Sequence, residues 1–148
     1  MALIVSGVSE LISAIKQVSG HSVKAVNDGL HDMALEIQKE AIANAPVEHG
    51  NLEHAIKVNN TGQRRGWEVY VDPDESDNTG KYTVGDYAMW LHESVYKLGK
   101  LSVEKQDSNG HTVGRKYLER AFNTVMSDQA QEILQDKLDQ ALKERYGR

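Results

Sequence analysis

The sequence has no cysteine, which excludes disulfide frameworks, thiol nucleophiles and thiolate metal sites. No apolar run approaches the roughly 20 residues needed to cross a bilayer. The block Leu3, Ile4 and Val5 is too short for a signal peptide and has no Lys or Arg before it, so the chain is expected to stay in the cytoplasm of the cell that makes it. Positive charge is also scarce. The 17 Lys and Arg are outnumbered by 22 Asp and Glu, giving a formal charge of -5, where a dedicated nucleic-acid binder would be more basic. What is present, 148 residues with 39% hydrophobic and 26% charged, suits one soluble globular domain.

Hydrophobic spacing divides the chain into three parts. Val8, Leu11, Ile12, Ile15 and Val18 fall on one face of a helix that Gly20 would end, and Val26, Leu30, Met33, Ala34, Ile37 and Ala41 form the stripe of a second helix closed by Pro46. Residues 1–45 therefore read as helical, a hairpin or one bent helix. The period then changes to two. Ile56 and Val58 share a face within Ala55 to Asn59, as do Trp67, Val69 and Val71 within Trp67 to Asp72, which predicts an antiparallel hairpin with an exposed loop at Asn60 to Gly66. Residues 72–80 have the composition of a long acidic loop, for which disorder is expected.

Six of the nine aromatic residues, Trp67, Tyr70, Tyr82, Tyr87, Trp90 and Tyr96, fall in residues 67–96, making this segment the expected centre of the core. Asn109-Gly110 predicts the turn of a second hairpin, with arms Leu101 to Lys105 and His111 to Val113, so that residues 52–113 form a sheet with long loops. Residues 115–146 contain no proline and no glycine, and Leu118, Ala121, Phe122, Val125, Ala130, Ile133, Leu134, Leu138, Ala141 and Leu142 keep helical spacing. One helix of this length would extend about 45 Å, longer than its own core needs, so its distal half is expected to pack on another copy. The fold class that follows is α+β, an antiparallel sheet with N-terminal helices and a long C-terminal helix on one face.

No constellation of residues carries a catalytic signature. His49 and His54, beside Glu48 and Glu53, are five apart, which matches neither a helical i, i+4 pair nor a zinc signature. His92-Glu93 could serve as an acid and base, but neighbours on a helix point about 100° apart and no partner stands at a recognisable spacing. Gly62 to Gly66 lacks the Lys-Ser or Lys-Thr of a phosphate loop. Arg64 and Arg65 suit an acidic partner or a phosphate, and equally a solvated loop. Catalytic, cofactor and metal sites are accordingly assigned to no residue.

Three ordered segments resemble a family of siphophage proteins that complete the junction between head and tail. The first is Ala45-Pro46-Val47-Glu48-His49-Gly50-Asn51-Leu52, followed by Ile56, similar to the family's helix end and strand start. The second is Tyr87-Ala88 through Trp90 to His92-Glu93. The third, Gly114-Arg115-Lys116-Tyr117-Leu118, is similar to the start of the family's terminal helix. His49 stands where the family often has Thr, and Ala55 where it often has Ser. In physical terms the first segment is a corner: Pro46 stops a helix, Gly50 permits a positive φ, and Leu52 can drop onto the helix as the chain turns toward the sheet.

The resemblance implies a single head-to-tail joining domain over residues 1–148, a tail-completion, neck or minor tail protein found in the virion and, during assembly, in the host cytoplasm. It also implies a homo-oligomeric ring, a hexamer, stacked against other virion proteins such as a head-completion or stopper ring, a tail terminator or the tail tube. Double-stranded DNA would pass through the lumen without sequence recognition, and no membrane or cofactor is involved. Pro46, Gly50, Leu52, Tyr87, Trp90, His92, Glu93, Tyr117 and Leu118 would be the structural motif residues. Arg64, Arg65, Lys97, Lys100, Leu138 and Leu142 are candidates for the subunit or partner interface. The acidic charge suits a conduit that must not hold phosphates. Two other classes compete: a phage-encoded enzyme or nuclease inhibitor using His92-Glu93 with His49 and His54, and a small DNA-binding regulator with Arg64, Arg65, Lys97 and Lys100 on one face.

Overall fold

The spine of the molecule is a 25-residue helix, α1 (Gly20–Asn44), about 37 Å long. The computed structural model describes residues 2–4, 20–62 and 66–147, so the expected helix around Val8 to Val18 lies outside the described residues. The stripe Val26, Leu30, Met33, Ala34, Ile37 and Ala41 is buried along the whole of α1. A one-turn helix, α2 (Asn51–Ala55), leads into strands β2 (Ile56–Asn60) and β3 (Trp67–Val71), which pair antiparallel as the alternation predicts. Ile56 lies opposite Val71, Val58 opposite Val69 and Asn60 opposite Trp67, so the apolar side chains share one face. That face meets α1, with Ile56, Val69 and Val71 buried and Val58 and Trp67 packed at its edge. A third strand, β1 (Ala2–Ile4), was not evident from the sequence and pairs with the other edge of β3, giving the order β1-β3-β2.

The C-terminal helical stretch is broken once. Helices α5 (Tyr117–Asp128) and α6 (Ala130–Tyr146) meet at Gln129, where φ is -125° and ψ -24°. No proline or glycine marks the break. Instead the Ser127 hydroxyl donates to the Asn123 carbonyl at 2.8 Å and lies 2.8 Å from Asp128, a local side-chain competition that bends helices. The bend keeps the chain antiparallel to α1 over its full length. Leu118, Ala121 and Val125 pack with Ala34, Ile37 and Ala41, while Ala130, Ile133, Leu134 and Leu138 pack with Val26, Leu30 and Met33. Gly29 permits the close crossing, since a Cβ there would sit 2.9 Å from Leu134 Cδ2. The length expected to be spare for a second copy is therefore mostly used within the chain, with Leu138 partly buried against the core; Leu142 remains 47% exposed.

Residues 97–113 correct the reading of a second hairpin. They contain a helix, α4 (Lys100–Asn109), and Asn109-Gly110 is its end, with Gly110 at φ +73° as the left-handed C-cap. Leu101, Val103 and Lys105 alternate like a strand, but the inward face of the helix is Ser102, Lys105 and Gln106. This polar face satisfies the carbonyls that α1 leaves open at its C-terminus. Lys105 Nζ donates to the Ile42 carbonyl at 2.5 Å, to the Ala45 carbonyl at 2.8 Å and to the Glu53 carboxylate. Asn109 Nδ2 donates to the Ala43 carbonyl and the Gly114 amide to that of Asn44. Ser102 exchanges hydrogen bonds with both the amide and the carbonyl of Val47. Lys105→Met should lower stability by roughly 2 kcal/mol, because it strips charge-assisted bonds from half-buried carbonyls and leaves Glu53 unpaired. Denaturant unfolding checks this, with Lys100→Met, on the exposed side, expected to change little.

The acidic loop is also ordered, contrary to the expectation from its composition. Lys57 Nζ clamps Asp72 at 2.6 Å and Glu75 at 2.9 Å. Asp77 accepts from the amide and hydroxyl of Thr79 and from the Lys81 amide, and the Val84 and Gly85 amides return to the Glu75 and Pro73 carbonyls. Val84, fully buried, anchors the far end. Gly85 has no room for a side chain: a Cβ would lie 2.9 Å from Pro73 Cβ and 3.0 Å from its carbonyl oxygen. Gly85→Ala is therefore expected to cost about 1–3 kcal/mol by overpacking against backbone, read as a lowered midpoint in thermal unfolding.

Candidate interaction groove

The corner after α1 is built as its residues require. Pro46 is buried, Gly50 adopts φ +83°, and one turn of α2 drops Leu52 into the core. The space beside Gly50 is open, its nearest neighbour being Glu53 at 3.6 Å, so the backbone conformation rather than crowding calls for glycine. Facing this corner, a single 3₁₀ turn at Val84–Asp86 is closed by a capping box between Thr83 and Asp86 and leads into helix α3 (Ala88–Glu93). Between the corner, α3 and the start of α4 lies a groove of about 1000 Å³. Pro46, Val47, Leu52, Leu91 and Leu101 give it apolar surface, and Tyr82, Tyr87, Trp90 and Tyr96 give it four aromatic rings. Glu48, Asp77 and Asp86 are its acidic lining and Lys97 and Lys100 its basic lining.

These rings correct the expectation that residues 67–96 centre the core. Trp67 packs against it, stacked on His31 at 4.0 Å, and Tyr70 sits on the outer face of the sheet. Trp90 is 56% exposed, Tyr82 52%, and Trp90 stacks on Tyr96 at 5.2 Å across the groove wall. The large ring at the true centre is Tyr117, fully buried. Met89, Val95, Leu101 and Val103 extend the exposed apolar surface on the same segments. Tyr82 was expected in the core, and Leu101 and Val103 in a strand arm before Asn109-Gly110; Met89 and Val95 carried no sequence signal.

Behind the groove, His92 is buried and Glu93 exposed, and the two do meet. His92 Nδ1 lies 2.7 Å from Glu93 Oε1, and Lys116 Nζ lies 2.7 Å from Glu93 Oε2. The adjacent side chains converge because Lys116, in the left-handed conformation at φ +61°, donates its amide to the His92 carbonyl and brings its ammonium over the pair. His92 makes an edge contact with Tyr117 and is not among the groove-lining residues. This is a lock between α3 and α5. The hydrogen bond from Lys116, and then that from His92, holds the Glu93 carboxyl below the usual carboxylate range. Burial, followed by the charges of Asp77 and Glu48, pushes the Tyr87 hydroxyl up. A carboxylate depressed in the folded state contributes stability above its unfolded pKa, roughly 4.3, and loses it as pH falls through the folded value. Glu93→Gln should thus lower the thermal midpoint slightly at pH 7, and the gap from the unsubstituted chain should close as the pH is taken below 4.

The remaining site candidates separate. Lys97 and Lys100 border the groove, and Leu118 is buried beside Tyr117. Leu138 is partly buried against the Val26, Leu30 and Met33 cluster, and Leu142, near the end of α6, is exposed. Arg64 and Arg65 lie outside the described residues. Glu53 is engaged by Lys105, and His49, which lines the groove, has its exposed imidazole 4.0 Å from Glu48. Among the described residues no group of three or more His, Asp or Glu could hold a metal ion, and no helix is long and apolar enough to cross a membrane.

A sequence model of the family described as "Bacteriophage HK97-gp10, putative tail-component" matches residues 9–91, more than half of the chain, covering the corner, the hairpin and most of α3. Neither the curated proteins nor the solved structures contain a significant match.

Proposed function

The chain belongs to the HK97-gp10-like family of bacteriophage tail components, and from that premise we propose that it is a ring-forming component of the neck, a tail-completion or tail-terminator protein that joins head to tail. The observation that carries this reading is the inverted polarity of α3 and α4. Their inward faces are Ala88 and His92, and Ser102, Lys105 and Gln106, while Met89, Trp90, Leu101 and Val103 face outward without cover. Exposed apolar surface of this extent on a small chain marks a protein–protein contact. A heterologous contact repeated about an axis closes a ring, here a hexamer, against a stopper ring on one side and the tail tube on the other.

The role is structural rather than catalytic: the His92–Glu93 pair is tied to Lys116 behind the groove. Double-stranded DNA passes through the lumen without sequence recognition, which suits the net charge of -5. The virion, and the host cytoplasm during assembly, are where the protein acts. Deleting its gene should leave filled heads and separate tails by electron microscopy, and normally joined particles from the deletion would sink the proposal. Complementation with Trp90→Glu should reproduce the defect although the purified variant keeps its circular dichroism spectrum and thermal midpoint.

A further inference from the structure

We propose that the groove takes a basic, arginine-bearing segment of a neighbouring virion protein, an inference that rests on the reading of the chain as a head-to-tail joint and names the chemistry of its partner. The charges lining the groove carry it. Several ion pairs elsewhere are completed within the chain: Lys57 holds Asp72 and Glu75, Lys105 holds Glu53, and Lys116 holds Glu93 and Glu119. The groove carboxylates of Glu48, Asp77 and Asp86 meet no lysine or arginine among the described residues. Glu48 has only the exposed His49 imidazole, at 4.0 Å, while Asp77 accepts from the Thr79 hydroxyl and Asp86 from the Thr83 amide. Such hydrogen bonds position a carboxylate and leave its charge uncancelled. Burial, followed by the charges of Asp77 and Glu48, pushes the Tyr87 hydroxyl up, so both charges act on the Tyr87 side of the groove.

That side is also aromatic. Tyr82 and Tyr87 lie in the same stretch of chain as Asp77 and Asp86, and Trp90 follows one turn later in α3. A ring face attracts a cation, and a guanidinium suits this lining best, since it stacks flat on a ring while its edge donates paired hydrogen bonds to a carboxylate. A cation of this chain already rests against one of the rings: Lys81 Nζ lies 5.2 Å from the centre of Tyr82. Pro46, Val47, Leu91 and Leu101 are apolar and suit an aliphatic residue beside the arginine. At about 1000 Å³ the groove has room for a short segment rather than a lone side chain. Lys97 and Lys100, at the start of α4, offer a place to an acidic residue of the same segment and so fix its direction. A second copy is the poorer occupant, because this chain carries a net charge of -5 and like-signed surfaces repel. Met89, Val95 and Val103 are exposed outside the groove lining and remain for contact between subunits.

Panning a library of random short peptides against the full-length chain tests this. Enrichment of arginine next to aliphatic residues is expected; enrichment of acidic or purely apolar peptides, or no enrichment, overturns the proposal. In fluorescence anisotropy an enriched peptide should bind the chain about tenfold more tightly than it binds Glu48→Lys, and added salt should weaken it. Glu48 is exposed, so this variant should keep its thermal midpoint. Replacing the peptide's arginine by citrulline, of the same shape but neutral, should cost binding as well, and equal affinity for the citrulline peptide would overturn the proposal. Oligomers that Trp90→Glu dissolves, with no peptide enriched, would give the groove to a second copy instead. Failure to enrich arginine peptides, from a chain whose gene deletion separates heads from tails, would leave the neck reading intact and remove this one. Arginine-dependent binding by a chain whose deletion leaves joined particles would remove the neck reading and keep the chemistry of the groove.

Discussion

The carbonyl groups at the C-terminal end of α1 are the constraint around which the molecule is arranged. A helix cannot satisfy its own last carbonyls, and leaving them unpaired beside a core is costly. Here those of Ile42, Ala43, Asn44 and Ala45 are met by Lys105, Asn109 and the Gly114 amide. Meeting them pulls α4 across the helix end. The same helix fixes the corner through Ser102 and Val47, and Gly114 delivers the chain to Lys116, whose amide and ammonium hold the end of α3. One set of hydrogen bonds thus positions all three walls of the groove.

What could be read from the sequence follows from how local each interaction is. The α1 stripe, the β2–β3 pairing and the glycine corner at Gly50 follow from periodicity and backbone preference within a few residues, and all three appear in the structure. The failures have non-local causes. Lys105 reaches carbonyls some 60 positions earlier, and nothing near Leu101 announces that the inner face of its helix must be polar. The order of the acidic loop depends on Lys57 from a different element. The break at Gln129 comes from a serine hydroxyl, in a stretch without a glycine or proline to reveal it. For the groove, the corner and α3 were legible as motifs, but the aromatics were assigned to the core by count, because sequence spacing does not say which side of a very short helix faces in.

The core explains why those aromatics are free to face outward. Ala34, Ala41, Ala45, Ala55, Ala88 and Ala121 are all buried, and small residues at the contacts let α1, α5 and the sheet approach closely. The core is filled this way by alanine, branched aliphatics and the fully buried ring of Tyr117, with Trp67, Tyr87 and Phe122 packed against it, while Trp90 and Tyr82 stand outside it. That placement leaves the fold insensitive to substitution of the exposed Trp90 and Leu101, while Ala88 and Ser102 beside them are buried and carry the structural contacts.

The same partition sets the strength of the contact the groove can make. Its apolar side chains are already part buried, so covering each gains roughly 1 kcal/mol, less than the 1.5–3 kcal/mol of a fully transferred residue. Six of them give a total on the order of 6 kcal/mol, against an association cost of about 4–15 kcal/mol. A single isolated contact is thus near balance. In the proposed ring the arithmetic changes, because the last subunit would make two contacts while losing its freedom once. On the proposed ring reading, an interface of this strength would hold subunits apart while they are dilute and commit them where a template already stands.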